Sequence, residues 1–100
     1  MVIAEIALIP MGTKTPSVSE YVAKTVKVLS QEKGIKYQLT AMGTIVEGEL
    51  DRVLEAVKKM HQCIFDEGVK RVVTTIRIDD RRDKVPTMGY KVESVMKKLG

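Results

Sequence analysis

The sequence predicts an α+β domain: a ferredoxin-like βαββαβ sandwich whose four-stranded antiparallel sheet carries helices on one face, with a short C-terminal helix after it. Two stretches of helical period each stop at a glycine, Gly34 and Gly68. Between them lie two short β-type segments whose brief link, Met42-Gly43, implies an antiparallel hairpin. Further β-type segments open the chain and follow the second helix, which completes the order. At 100 residues and 11.2 kDa the chain has room for one domain, residues 1–100.

Each element has its own justification. Residues 2–10 are aliphatic and β-branched, short, and closed by Pro10, which reads as a buried strand. Met11 to Pro16 is turn-like, and Ser17 with Glu20 three residues on forms a capping box. Val18, Tyr21, Val22, Val26 and Leu29 then recur at helical spacing, predicting four turns up to Gly34. Ile35, Tyr37, Leu39 and Ala41 alternate with Lys36, Gln38 and Thr40, the period of a half-buried strand, and Thr44 to Glu49 is its hairpin partner. The second helix gathers Leu50, Val53, Leu54, Val57, Met60, Ile64 and Phe65 on one face, with Glu49 and Asp51 at its amino end, where the helix dipole favours acids. Val69, Val72, Thr74, Ile76 and Ile78 alternate with Lys70, Val73, Thr75, Arg77 and Asp79 in a fourth strand, followed by a charged loop through Pro86. Met88, Val92, Val95, Met96 and Leu99 mark the terminal helix.

Composition narrows the function classes. With 44% hydrophobic and 30% charged residues, disorder, collagen-like repeats and a disulfide scaffold are excluded. One Phe, three Tyr and no Trp predict an aliphatic, methionine-rich core. The net charge of +4 is concentrated in the last third, where 9 basic residues meet 6 acids, interleaved as in Asp79-Asp80-Arg81-Arg82-Asp83-Lys84. Such mixing describes a solvated face better than a nucleic-acid surface. The expected inner strands, Val2–Pro10 and Thr44–Glu49, hold three glutamates and no aromatic, unlike a base-stacking RNA-recognition sheet, so no nucleic-acid partner is expected. Cys63 is alone, which excludes an internal disulfide or CxxC motif and suits an inert thiol. The apolar amino terminus lacks a basic leader region and is broken by Glu5, so a cytoplasmic location without membrane attachment is expected.

In this plan the first and third strands lie inside, and the face away from the helices carries Ile3, Glu5, Ala7 and Ile9; Gln38, Thr40 and Met42; Ile45, Glu47 and Glu49; and Val73, Thr75, Arg77 and Asp79. Half of that face is apolar, which predicts cover by another subunit, in a homodimer or homotetramer. Glu5 and Glu47 share the face, and buried carboxylates are costly without a partner. Two readings stand open: an ion pair with Arg77 inside an interface, or a carboxylate that accepts from an amino or cationic ligand. His61 falls on the apolar side of the second helix, where a satisfied histidine is expected; with no second histidine, no metal is. No nucleophile, phosphate loop or catalytic triad spacing is present, so neither enzymatic activity nor a cofactor is expected. The loop from Pro10 to Ser19 runs into a helix amino terminus, where amides and hydroxyls meet polar ligand atoms, although Ser17 is explained equally by capping. Arg81, Arg82 and Lys84 would either contact an anion or pair with Asp79, Asp80 and Asp83.

Ile9-Pro10-Met11-Gly12-Thr13, Ser17-Val18-Ser19-Glu20-Tyr21-Val22-Ala23, Gly43-Thr44-Ile45-Val46-Glu47-Gly48-Glu49, Arg71-Val72 and Arg82-Asp83-Lys84 follow one another along nearly the whole chain. In these segments it resembles the small thiamine-binding proteins of the YkoF-like superfamily, the Thr-x-x-Glu-Gly-Glu stretch being the most specific. The resemblance implies a ferredoxin-like domain that dimerises sheet to sheet, often pairing into tetramers, and that binds thiamine or its hydroxymethylpyrimidine moiety without transforming it, as carrier, buffer or sensor. It also implies ligand contacts at Thr13, Ser17, Ser19, Thr44 and Glu47. Alternation puts Thr44 and Glu47 on opposite faces, so both reach one ligand only near a strand end or at a subunit junction. The alternatives are an oligomeric regulatory domain sensing another small, anionic ligand at an interface, and acid-base catalysis by Glu5 and Glu47.

Overall fold

The longest strand, β1 (Val2–Met11), takes a partner on each edge, and the sheet grows from it. In the computed structural model, which describes residues 1–12, 19–83 and 88–100, β1 is followed by α1 (Ser19–Ser30), β2 (Lys36–Thr40), β3 (Gly43–Gly48), α2 (Leu50–Phe65), β4 (Arg71–Asp79) and α3 (Met88–Leu99). The strands lie in the order β2-β3-β1-β4, each neighbour antiparallel, so the ferredoxin-like plan is observed with β1 and β3 inside. Among the described residues no helix is long and apolar enough to cross a membrane.

Alternation along β1 sends Val2, Ala4 and Ile6 under the helices, where they meet Val46 of β3, Leu29 of α1, and Val53, Ala56, Val57 and Met60 of α2. The other face is open. By register it carries Ile3, Glu5, Ala7 and Ile9, flanked by Glu47 and Ile45 on one side and by Asp79, Arg77, Thr75 and Val73 on the other. α2 docks by its 53, 57, 60 and 64 positions, and Leu54, expected on that face, instead points toward solvent beside it. His61 is half-buried, its Nδ1 2.6 Å from the Thr74 hydroxyl and its ring edge-on to Phe65. Cys63, two residues on, donates its thiol to the Met60 carbonyl.

Several boundaries differ from expectation for identifiable reasons. α1 stops at Ser30, a turn short of Gly34: the Ser30 hydroxyl donates to the Lys27 carbonyl, and the Gln31 and Glu32 amides reach back three residues instead of four. Gly34 then makes the bend with a φ of 75°. Ser17 of the capping box lies outside the described residues. The hairpin turn is Ala41-Met42, not Met42-Gly43, and neither residue adopts a positive φ. Thr40 holds it instead: its hydroxyl donates to the Gly43 carbonyl and accepts from the Met42 and Gly43 amides. β3 ends with the Val2–Gly48 pair, so Glu49, expected on the open face, leaves the sheet to become the N-cap of α2. Met42 likewise leaves that face for the turn. The core is aliphatic but not methionine-rich: Met60 is buried, whereas Met1, Met11, Met42 and Met96 lie at a terminus, a strand end, the turn and α3, all exposed.

The two glycines of β3 are required by close approach. A Cβ on Gly43 would sit 2.7 Å from the Ile6 carbonyl oxygen, and one on Gly48 would sit 2.8 Å from both the Gly34 carbonyl oxygen and the Ile35 Cδ1. Gly48→Ala is therefore expected to cost about 1–3 kcal/mol, as overpacking does, read as a lower urea midpoint at unchanged slope. An unchanged midpoint would show that the loop at Gly34 yields freely. Burial pushes the Cys63 thiol above its ordinary value, with the Asp66 and Glu67 carboxylates adding to the effect. Its reaction with Ellman's reagent at pH 8 should be slower than that of free cysteine and accelerate on unfolding; a rate equal to that of free cysteine would contradict this environment.

Candidate ligand-binding site

Strand pairing assembles two rows of side chains across the open face. One row runs Lys36, Glu47, Ile3, Asp79 from β2 to β4, and the next runs Gln38, Ile45, Glu5, Arg77. Each row therefore has a cation at one end and aliphatic and acidic residues inside. A depression of about 350 Å³ lies over them, lined by Ile3, Glu5, Ile45, Arg77 and Asp79, with Ala4 and Ile78 beneath.

Glu47 is the unusual member of this set. It is only 3% exposed, although it faces away from the helices. The Lys36 ammonium stands 3.9 Å from its Oε1, an ion pair longer than a hydrogen bond, on a side chain that is 80% exposed. Glu5, by contrast, is half-exposed and takes Arg77 Nη2 at 2.8 Å, so the anticipated arginine pairs with Glu5 and not with Glu47. Asp79 forms an ion pair with Lys91 of α3. The arrangement offers carboxylates, each with a cationic partner, around the aliphatic floor of Ile3 and Ile45, which suits a flat ring bearing an amino group. Lys36 was not singled out from the sequence. The signal for it is hairpin register: counting back from the Thr40–Gly43 pair puts Lys36 opposite Glu47.

The remaining contacts implied by resemblance are distributed differently. Thr44 pairs with Ile6 and Leu39 on the helix side of β3 and is buried, so it and Glu47 lie on opposite faces of one sheet. Ser19 opens α1 in the helix layer and is exposed. Thr13 and Ser17 lie outside the described residues. A single copy thus does not bring Ser19 or Thr44 to the depression beside Glu47.

A second depression, about 390 Å³, opens at the amino end of α2 among Met1, Val2, Glu49, Leu50, Asp80, Arg81 and Arg82. Arg81 grips Asp83 through two hydrogen bonds, of 2.6 and 3.0 Å, and Arg82 grips Asp80 at 2.9 and 3.2 Å. These guanidinium contacts hold both aspartates below the usual carboxylate range. Lys84 lies outside the described residues. Among the described residues no three His, Cys, Asp or Glu side chains come together to hold a metal ion.

Comparison with known proteins agrees with the architecture. The chain is 52% identical to the UPF0045 protein YqgV of Bacillus subtilis over 102 aligned positions, which cover 99% of this chain and 98% of that protein. It superposes on the crystal structure of protein MJ1052 of Methanocaldococcus jannaschii with a TM-score of 0.87 at 40% identity, covering 94% of each chain. A Thermotoga maritima protein provisionally assigned to thiamine biosynthesis or salvage shares the fold, with a TM-score of 0.76 at 24% identity over 94% of this chain and 97% of that one. The family model described as thiamine-binding protein matches residues 4–96, and the chain belongs to that family.

Proposed function

We propose that this protein binds thiamine, or its hydroxymethylpyrimidine part, on the open face of the sheet and leaves it chemically unchanged, serving as a carrier, buffer or sensor. The observation that carries this reading is Glu47: a carboxylate 97% buried on a face otherwise open, beside a depression lined by aliphatic and acidic side chains. An aminopyrimidine donates its exocyclic amine to such a carboxylate, and its flat ring matches the floor of Ile3 and Ile45. Membership of the family and the assignment of the Thermotoga maritima protein support the ligand class.

In this reading two copies meet through their open faces, and a cytoplasmic homodimer or homotetramer is the working form. Ser19 and Thr44 then reach a ligand held at Glu47 only across a junction between copies, together with Thr13 and Ser17. The paired arginines at the second depression favour one alternative, an oligomeric regulatory domain that senses an anionic ligand through Arg81 and Arg82.

Isothermal titration with thiamine, hydroxymethylpyrimidine and thiamine pyrophosphate separates the two. The proposal expects thiamine to bind and Glu47→Gln to weaken it by about 1–3 kcal/mol, roughly 5- to 150-fold, with no gain in affinity from the pyrophosphate. Tighter binding of the pyrophosphate, lost in Arg81→Ala or Arg82→Ala, would favour the regulatory reading. Thiamine binding indifferent to Glu47→Gln would remove the site from this face, and no heat with any of the three would refute thiamine binding.

A further inference from the structure

The apolar stripe of α3 has no cover in its own chain. Val92, Val95, Met96 and Leu99, at the spacing of one helix face, are 63, 57, 61 and 76% exposed. A helix of 12 residues is marginal in water by itself, and the Glu93–Lys97 ion pair, 3.6 Å apart, adds little to it. α3 therefore depends on whatever buries this stripe.

The same chain has a second uncovered apolar surface. Beyond Ile6, β1 pairs with β4 alone, and on the open face of that two-stranded extension Ile9, Met11 and Val73 are 51, 42 and 40% exposed. Lys91 of α3 is paired with Asp79, itself an open-face residue, so the first turn of α3 is fastened at the end of β4 away from this patch, six residues from Val73. We propose that a second copy of this chain covers the stripe: in the dimer, α3 of each copy lies against the open sheet face of the other. This rests on the sheet-to-sheet pairing proposed above and adds the arm that completes it.

Surface area supports a second copy as the occupant. At roughly 100 Å² for an aliphatic side chain, the α3 stripe offers on the order of 300 Å² of apolar surface, and Ile9, Met11 and Val73 about 150 Å² more. Together they approach the non-polar share, about 450–500 Å², of a standard interface of about 800 Å² per partner, and either alone falls short. Two surfaces of one chain, each unsatisfied and set apart from one another along β4, meet the self-complementarity that a two-fold dimer requires, each receiving the other from the second copy.

The test uses full-length protein: light scattering over a concentration series, with hydrogen exchange of the α3 amides, for the wild type, for Val92→Glu/Met96→Glu, and for Ile9→Glu/Val73→Glu. Because the substituted α3 side chains are exposed in one copy, the circular dichroism of the folded body serves as the control. The proposal expects a wild-type dimer or larger whose α3 amides are protected, a dissociation constant at least about 100-fold weaker in both variants, and loss of α3 protection on dilution. If the wild type assembles and the sheet variant dissociates while the α3 variant assembles unchanged, the arm is refuted and sheet-to-sheet pairing stands. A monomeric wild type refutes both, and a monomer with protected α3 amides shows that the helix folds onto its own chain.

Discussion

The antiparallel register of β1 between β3 and β4 is the constraint on which the rest of the molecule depends. It places Ile6 opposite both Thr44 and Ile76, and Ile3 opposite both Glu47 and Asp79. Because side chains alternate, a slip of one residue would turn Val2, Ala4 and Ile6 out of the core and carry Ile3 and Glu5 into it. The core and the acidic open face are thus two consequences of one register. Burial of Val2, Ala4 and Ile6 against α2 stabilises that register, and the cost of placing Glu5 under the helices excludes the alternative.

The Gly-Thr-x-x-Glu-Gly-Glu segment combines packing and chemistry at adjacent positions. Gly43 and Gly48 are dictated by backbone contacts with Ile6 and Gly34, Thr44 and Val46 face the core, and Glu49 stands at the N-cap position of α2 with its side chain exposed. Packing accounts for the first four positions, and it does not account for a buried carboxylate at Glu47. A carboxylate taken out of water is costly unless compensated, and the Lys36 ammonium at 3.9 Å is the partner that strand pairing brings to it. In the proposed function the ligand adds an amino donor to this carboxylate.

Much of this was legible in the sequence because it rests on periodicity. Alternation in β1 and β4 assigns Ile3, Glu5, Arg77 and Asp79 to one face, and parity alone separates Thr44 from Glu47. Other features rest on interactions that no local pattern carries. The end of α1 depends on a Ser30 hydroxyl competing with the helix, and the hairpin turn depends on Thr40 replacing the usual positive φ. Lys36 reads as one more surface lysine until the hairpin register sets it opposite Glu47. Composition counts methionines without placing them, and Met1, Met11, Met42 and Met96 lie outside the core. Alternation puts Arg77 on the open face, but its choice of Glu5 over Glu47 follows from the β1–β4 register, which sequence periodicity leaves undetermined.

The central claim is that the open face around Glu47 holds the ligand. Amide chemical-shift mapping by NMR during titration with hydroxymethylpyrimidine tests it most directly, because the fragment carries the amine and lacks the thiazolium. The account predicts that the largest shifts fall on Ile3, Ile45, Glu47 and Lys36 as the fragment is added. Shifts confined to Leu50 and Asp80 to Asp83, at the amino end of α2, would contradict it.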